Sequence, residues 1–157
     1  MRTDPRMSFL QSNPHLLEIA YDAARRTLRP FLRRLAPGGR VERLLVAFER
    51  TTKGAIFDCR MCGQCVLHQT GMTCPMTCPK DLRNGPCGGV RPDGGCEIVP
   101  EMTCIWVQAW ERSKRMPRYG SEILSILPPL DRRLQDTSAW MHELAASAES
   151  GASAWTA

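Results

Sequence analysis

All eight cysteines of the chain lie between Cys59 and Cys104, and no other feature constrains the fold so tightly. They stand at Cys59, Cys62, Cys65, Cys74, Cys78, Cys87, Cys96 and Cys104. Gly63, Gly71, Gly85, Gly88, Gly89, Gly94 and Gly95 are interleaved with them, as are Pro75, Pro79, Pro86, Pro92 and Pro100. Glycine permits tight turns and close backbone approach, and proline fixes φ and removes a donor. A stretch this rich in both holds neither a long helix nor a regular central strand. It also offers few bulky aliphatic side chains for a core. Thiolates around inorganic centres are the natural means of fixing such loops.

Cys59, Cys62 and Cys65 are spaced i, i+3, i+6, the spacing that embraces three irons of a cubane cluster. Bacterial ferredoxins follow such a triplet with a Cys-Pro. Here Cys74-Pro75 and Cys78-Pro79 supply that dipeptide nine and thirteen positions after Cys65, so the run departs from the ferredoxin pattern. Eight cysteines make two complete four-thiolate sets. The first set is expected to be Cys59, Cys62 and Cys65 completed by Cys74 or Cys78, and the remaining cysteines form the second. The expected cofactors are two 4Fe-4S clusters. Zinc in one or both sites is the alternative, because paired C-x2-C units also read as structural zinc. His68 lies beside the cluster loop and is a candidate ligand, but it is read first as a hydrogen-bonding or surface residue, since the thiols suffice as ligands. Lys80, Arg83 and Arg91 are candidates to offset the negative charge of thiolate-bound centres.

Charge and length bound the rest. At 157 residues the chain makes one compact unit with appendages. No stretch approaches the ~20 apolar residues that span a bilayer. The N-terminal Met1-Arg2-Thr3-Asp4-Pro5-Arg6 lacks the apolar run of a secretory signal. The expected location is the cytoplasm, where clustered cysteines are ligands more often than disulfides. Residues 1–50 carry ten Arg against five Asp and Glu, which accounts for the whole net charge of +5. The basic residues are not concentrated near the cysteine loops, and aromatic residues for base stacking are few there, so no nucleic acid is expected as a partner.

In chain order, residues 1–53 read as a basic helical region. Asn13-Pro14 is a helix start. Leu16, Leu17, Ala20, Tyr21, Ala24, Leu28, Phe31, Leu32 and Leu35 follow at helical spacing, with Pro30 as a kink or interruption. Val41, Leu44, Leu45 and Phe48 mark a second helix to about Lys53, and the two are expected to pair as a hairpin. Residues 54–118 are the cysteine-rich domain, closed by a helix from Glu101 to about Met116 that carries Cys104 in its first turns. Residues 119–147 form a helical extension, with a last helix through Leu130, Leu134, Thr137, Met141 and Leu144, and residues 148–157 a flexible tail. The expected fold class is small α plus irregular: cysteine-rich metal-cluster loops with flanking helices and little or no sheet.

The segments Cys62-Gly63-Gln64-Cys65-Val66-Leu67, Cys74-Pro75-Met76-Thr77-Cys78-Pro79-Lys80, Leu82-Arg83-Asn84-Gly85-Pro86-Cys87-Gly88-Gly89 and Gly95-Cys96-Glu97 resemble the methylenetetrahydrofolate reductase C-terminal-like family. The resemblance covers about Phe57 to Arg115 and, more weakly, Pro128-Pro129 through Trp140. It implies a small metal-carrying subunit, non-catalytic alone, beside a flavin-containing TIM-barrel reductase. That partner would reduce methylenetetrahydrofolate to methyltetrahydrofolate. The chain itself is too short for a barrel of about 250 residues and has no dinucleotide fingerprint, so flavin is expected only in the partner. The expected role is iron–sulfur electron transfer between an external carrier and that flavin. The alternative is a structural zinc-binding subunit of the same enzyme with no redox role.

Overall fold

In the computed structural model, residues 9–32 and 39–143 are described. The architecture is helical and irregular, as the glycine and proline content requires. The only sheet-type pairing among the described residues is an isolated antiparallel bridge between Gly95 and Thr103. A short α1 (Phe9–Ser12) leads into α2 (Pro14–Leu32), which begins at the proline expected to start it. Pro30 falls in the last turn of α2. Leu35, and with it the end of the expected stripe, lies outside the described residues, as does the tail from residue 144 onward.

Helix α3 (Arg40–Phe57) runs four residues past the expected Lys53 and is capped by Asp58 in left-handed backbone (φ 51°). The face it buries is not the expected one. Val41, Leu44 and Phe48 are exposed, the last two at 71% and 62%, while Glu49 and Lys53 are buried. The reason is pairing. Lys53 Nζ lies 2.6 Å from Glu49 Oε2 one turn away, and the other carboxylate oxygen accepts from the Ser138 hydroxyl and from Trp140 N. A charge so satisfied can be buried, whereas a lone one cannot.

Nor do α2 and α3 pack along each other as a hairpin; each is instead gripped by the C-terminal part of the chain. From α2, Glu18 Oε1 accepts from Arg118 N and Tyr119 N at 2.8 and 2.7 Å, and Asp22 binds the Arg118 side chain. From α3, Glu49 takes Ser138. Glu18, Asp22 and Glu49 thus share the inward work with Leu17 and Tyr21 of the expected α2 stripe.

Between Asp58 and Cys104 the chain forms loops punctuated by 3-10 turns at Leu67–Thr70 and Pro75–Thr77. Helix α4 (Ile105–Ser113) starts four residues later than expected, so Cys104 is its N-cap and not a residue of its first turns. Backbone bonds Cys96 N to Met102 O and Cys104 N to Gly94 O, 2.8 and 2.9 Å, hold the approach to the helix in non-helical backbone. Beyond α4, the expected last helix is divided. A 3-10 turn at Arg132–Leu134, capped by Asp131, is followed by left-handed Asp136 (φ 63°), and helix resumes only at residue 139. This strap lies over Gly63, whose φ is +73°; a Cβ there would collide with the Leu134 carbonyl and the Thr137 hydroxyl.

Two small cores result. One gathers Leu17, Leu67, Met72, Met76 and Met116 around Cys74, and the other Val66, Trp106, Ala109 and Leu127 around Cys104. A cysteine sits inside each. No helix among the described residues is long and apolar enough to cross a membrane.

Candidate metal centre

The eight thiols line two small cavities, four to each, and Cys62 and Cys78 also share a wider groove. Cys59, Cys62, Cys65 and Cys74 line one small enclosed cavity, together with Lys53, Arg83 and apolar residues such as Phe57 and Met76. Cys78, Cys87, Cys96 and Cys104 line another, with Lys80, Glu97 and Trp106. Every cysteine is a free thiol. Cys59, Cys62 and Cys65 thus share one cavity wall with Cys74. Cys74 and Cys78 flank the single turn Pro75–Thr77, so the two cavities adjoin. Among the described residues, no three His, Cys, Asp or Glu groups converge closely enough to hold one metal ion; the thiols of each set share a wall and do not meet at a point.

Local structure places each thiol. Cys59 follows directly on α3 and its cap, and its sulfur accepts from Met61 N at 3.4 Å. The Cys62–Cys65 loop is pinned from both sides: Gln64 Oε1 accepts from Asp131 N at 2.7 Å, and Gln64 O accepts from Arg83 Nη2 at 3.2 Å. Arg83 Nε also donates to Pro128 O at 2.9 Å, which ties loop and strap into one unit. Cys74 opens the Pro75–Thr77 turn. Around the second cavity, the Gly95–Thr103 bridge fixes Cys96 and Cys104. Trp106 Nε1 donates to Leu82 O at 3.0 Å, closing that side.

Burial raises the thiols of the first set. Cys65 is pushed up to about 11 and Cys74 to about 12, each chiefly by desolvation, and Cys59 is raised for the same reason. The Lys53 ammonium opposes that rise at Cys59 and Cys65. Buried thiols held protonated in this way gain most from a positive centre that would take their protons' place.

The donor set fits a metal centre on a second observation. Arg83 is buried, lines the first cavity, and its Nη1 has no hydrogen-bond partner among the described residues. A buried guanidinium N–H without an acceptor is costly, and thiolate or sulfide of an anionic centre is an acceptor it could use. Of the three cations expected to balance the centres, Arg83 lines the first cavity and Lys80 the second, paired with Glu97. Arg91 lines neither; it pairs with Asp93 and donates to Pro100 O at 2.7 Å. Lys53 was not expected at all. Its only sequence signal is the i, i+4 pair with Glu49 on the helix that runs into Cys59.

His68 is not among the groups lining either thiol cavity. Its ring stacks on Tyr21 (centroids 5.1 Å apart) and meets Tyr119 edge-on, and Tyr21 stacks in turn on Trp140. Burial, with the Arg25 guanidinium adding to it, lowers the imidazole to about 4.

These features define a class: a cysteine-rich module with two four-thiol pockets side by side, clamped between helices by a C-terminal strap. Residues 39–133, which include all eight cysteines, match the family described as methylene-tetrahydrofolate reductase C terminal, and the chain belongs to that family. No curated protein and no solved structure matches it.

Proposed function

We propose that this chain is the iron–sulfur electron-transfer subunit of a flavin-containing methylenetetrahydrofolate reductase. The observation that carries the reading is the division of eight thiols into two adjoining pockets of four. Four thiols spread around a cavity suit a cubane, which offers each thiolate its own iron. A single zinc ion would draw its donors to about 2.3 Å from one point. Family membership supports the link to the reductase.

When bound, an iron–sulfur centre accepts and returns electrons one at a time. Two such deliveries, with two protons from solvent, supply what the reduction of methylenetetrahydrofolate to methyltetrahydrofolate consumes. The chain's own residues do the holding: Cys59, Cys62, Cys65 and Cys74 bind the first centre, and Cys78, Cys87, Cys96 and Cys104 the second. Arg83 and the strap exclude water from the first. The partner is a flavoprotein barrel, and the donor an external one-electron carrier. The exposed Leu44 and Phe48 of α3, with Trp110 and Ile126, supply apolar contact area for such a partner. A cytoplasmic setting accords with eight thiols kept reduced.

Anaerobic purification with metal and sulfide analysis tests the reading. A brown protein with about eight irons and eight sulfides per chain is the expected result for two four-iron clusters. A colourless protein holding zinc and no sulfide overturns it in favour of the structural zinc subunit.

A further inference from the structure

The iron–sulfur reading above leaves open which of the two centres takes an electron first, and the surroundings of the cavities differ in a way that bears on this. The first cavity is walled by two buried cations. Arg83 keeps one guanidinium N–H unpaired there. Lys53 and Glu49 line it too, as a buried ion pair 2.6 Å apart whose other carboxylate oxygen accepts from the Ser138 hydroxyl and Trp140 N, so the pair brings no net charge and Arg83 is the unbalanced cation.

The second cavity is balanced differently. Its one lining ammonium, Lys80, is more than a third exposed and is paired with Glu97. Glu97 in turn accepts from the Cys87 thiol at 3.6 Å. The second site therefore has a carboxylate against a ligand sulfur, and its lining cation is partly exposed.

Each electron added to an iron–sulfur centre makes it one unit more negative. Buried positive charge and N–H donors aimed at sulfur stabilise that change; a carboxylate against a ligand sulfur opposes it. We propose that Arg83 makes the centre at Cys59, Cys62, Cys65 and Cys74 the more readily reduced of the two, so that electrons reaching the pair come to rest on it. The donor loses one electron and the centre gains one, with no bond made or broken.

The test is a redox titration of the full chain, purified anaerobically, with dithionite as reductant and low-temperature EPR as readout. Iron and sulfide are measured first in every variant. Arg83→Gln should lower the more positive midpoint and leave the other in place. Arg83→Lys keeps the charge without the forked N–H groups and should give a smaller downward shift. Glu97→Gln should raise the more negative midpoint. Iron-replete variants with unmoved midpoints, or Arg83 variants that move the more negative one, overturn the ordering alone. A wild-type chain without iron and sulfide overturns the functional reading instead.

Discussion

At the scale of single residues, the chain buries charge where apolar side chains would serve most small proteins. Glu49 is 1% exposed, and every contact that makes this tolerable is identifiable: Lys53, the Ser138 hydroxyl and Trp140 N. Removing one member of a buried pair strands the other, at a cost of about 3–5 kcal/mol. Lys53→Met is therefore expected to destabilise by that amount, and the double variant with Glu49→Gln by clearly less. Denaturant melts of the two variants check this; equal losses would mean the pair contributes nothing through its pairing. His68 supplies a pH dependence. Its folded value of about 4 lies below the ordinary 6.5, so the folded state favours the neutral ring. Stability from this group is complete above about pH 6.5 and drains away as pH falls toward 4, by up to about 3 kcal/mol in all. The neighbouring Glu122, which burial raises, acts in the opposite sense. An NMR titration of the imidazole should find its midpoint near 4, and a midpoint at 6.5 would refute the claim.

At the scale of elements, what could be read from the residues was the helix start at Asn13-Pro14, the irregular cysteine segment, and the lack of sheet. These follow from local chemistry, which proline, glycine and capping side chains carry wherever they stand. The buried face of α3 could not be read. Glu49 and Lys53 are polar by type, and only their meeting with Ser138, 89 residues from Glu49, makes burial possible. The grouping of thiols was half legible. The i, i+3, i+6 spacing already keeps Cys59, Cys62 and Cys65 near one another, whereas Cys74 and not Cys78 lines the same cavity because of how the Pro75–Thr77 turn folds between them. The strap was misread as one helix because Leu130, Leu134 and Met141 mimic helical spacing. Its true geometry comes from Asp131, which caps a single turn, and from the need to cross Gly63. That crossing is testable. Gly63→Ala adds a methyl group against the Leu134 carbonyl at φ +73° and should cost at least about 2 kcal/mol, combining left-handed strain with a backbone clash. Gly85 has a similar φ, +85°, and open space around it, so Gly85→Ala should cost only the strain, about 1 kcal/mol. Thermal melts that rank the two alike would show that the strap does not press on Gly63.

At the scale of the whole molecule, the two cores are too small to hold the cysteine segment unaided. Their buried members include few aliphatic side chains, and in each a cysteine stands where a core residue would be expected. Domains of this size are stable by only about 5–15 kcal/mol. Ligation of one structural metal site contributes about 10–16 kcal/mol at neutral pH. On the proposed iron–sulfur reading, losing two such centres therefore exceeds any plausible reserve. Helices α2 and α3 stand differently, because they are long enough to keep partial helicity as isolated segments, even though Glu18 and Glu49 would lose their grip on residues 118, 119 and 138. Metal removal by chelation or oxidation should therefore abolish amide protection across residues 59–104 and leave a fraction of the helical circular dichroism. Hydrogen exchange before and after complete metal removal makes the measurement. Protection of the segment that survives removal would mean that the loops fold on the strength of Trp106, Met72 and the Arg83 hydrogen bonds alone, and that the thiols are passengers in a core already made.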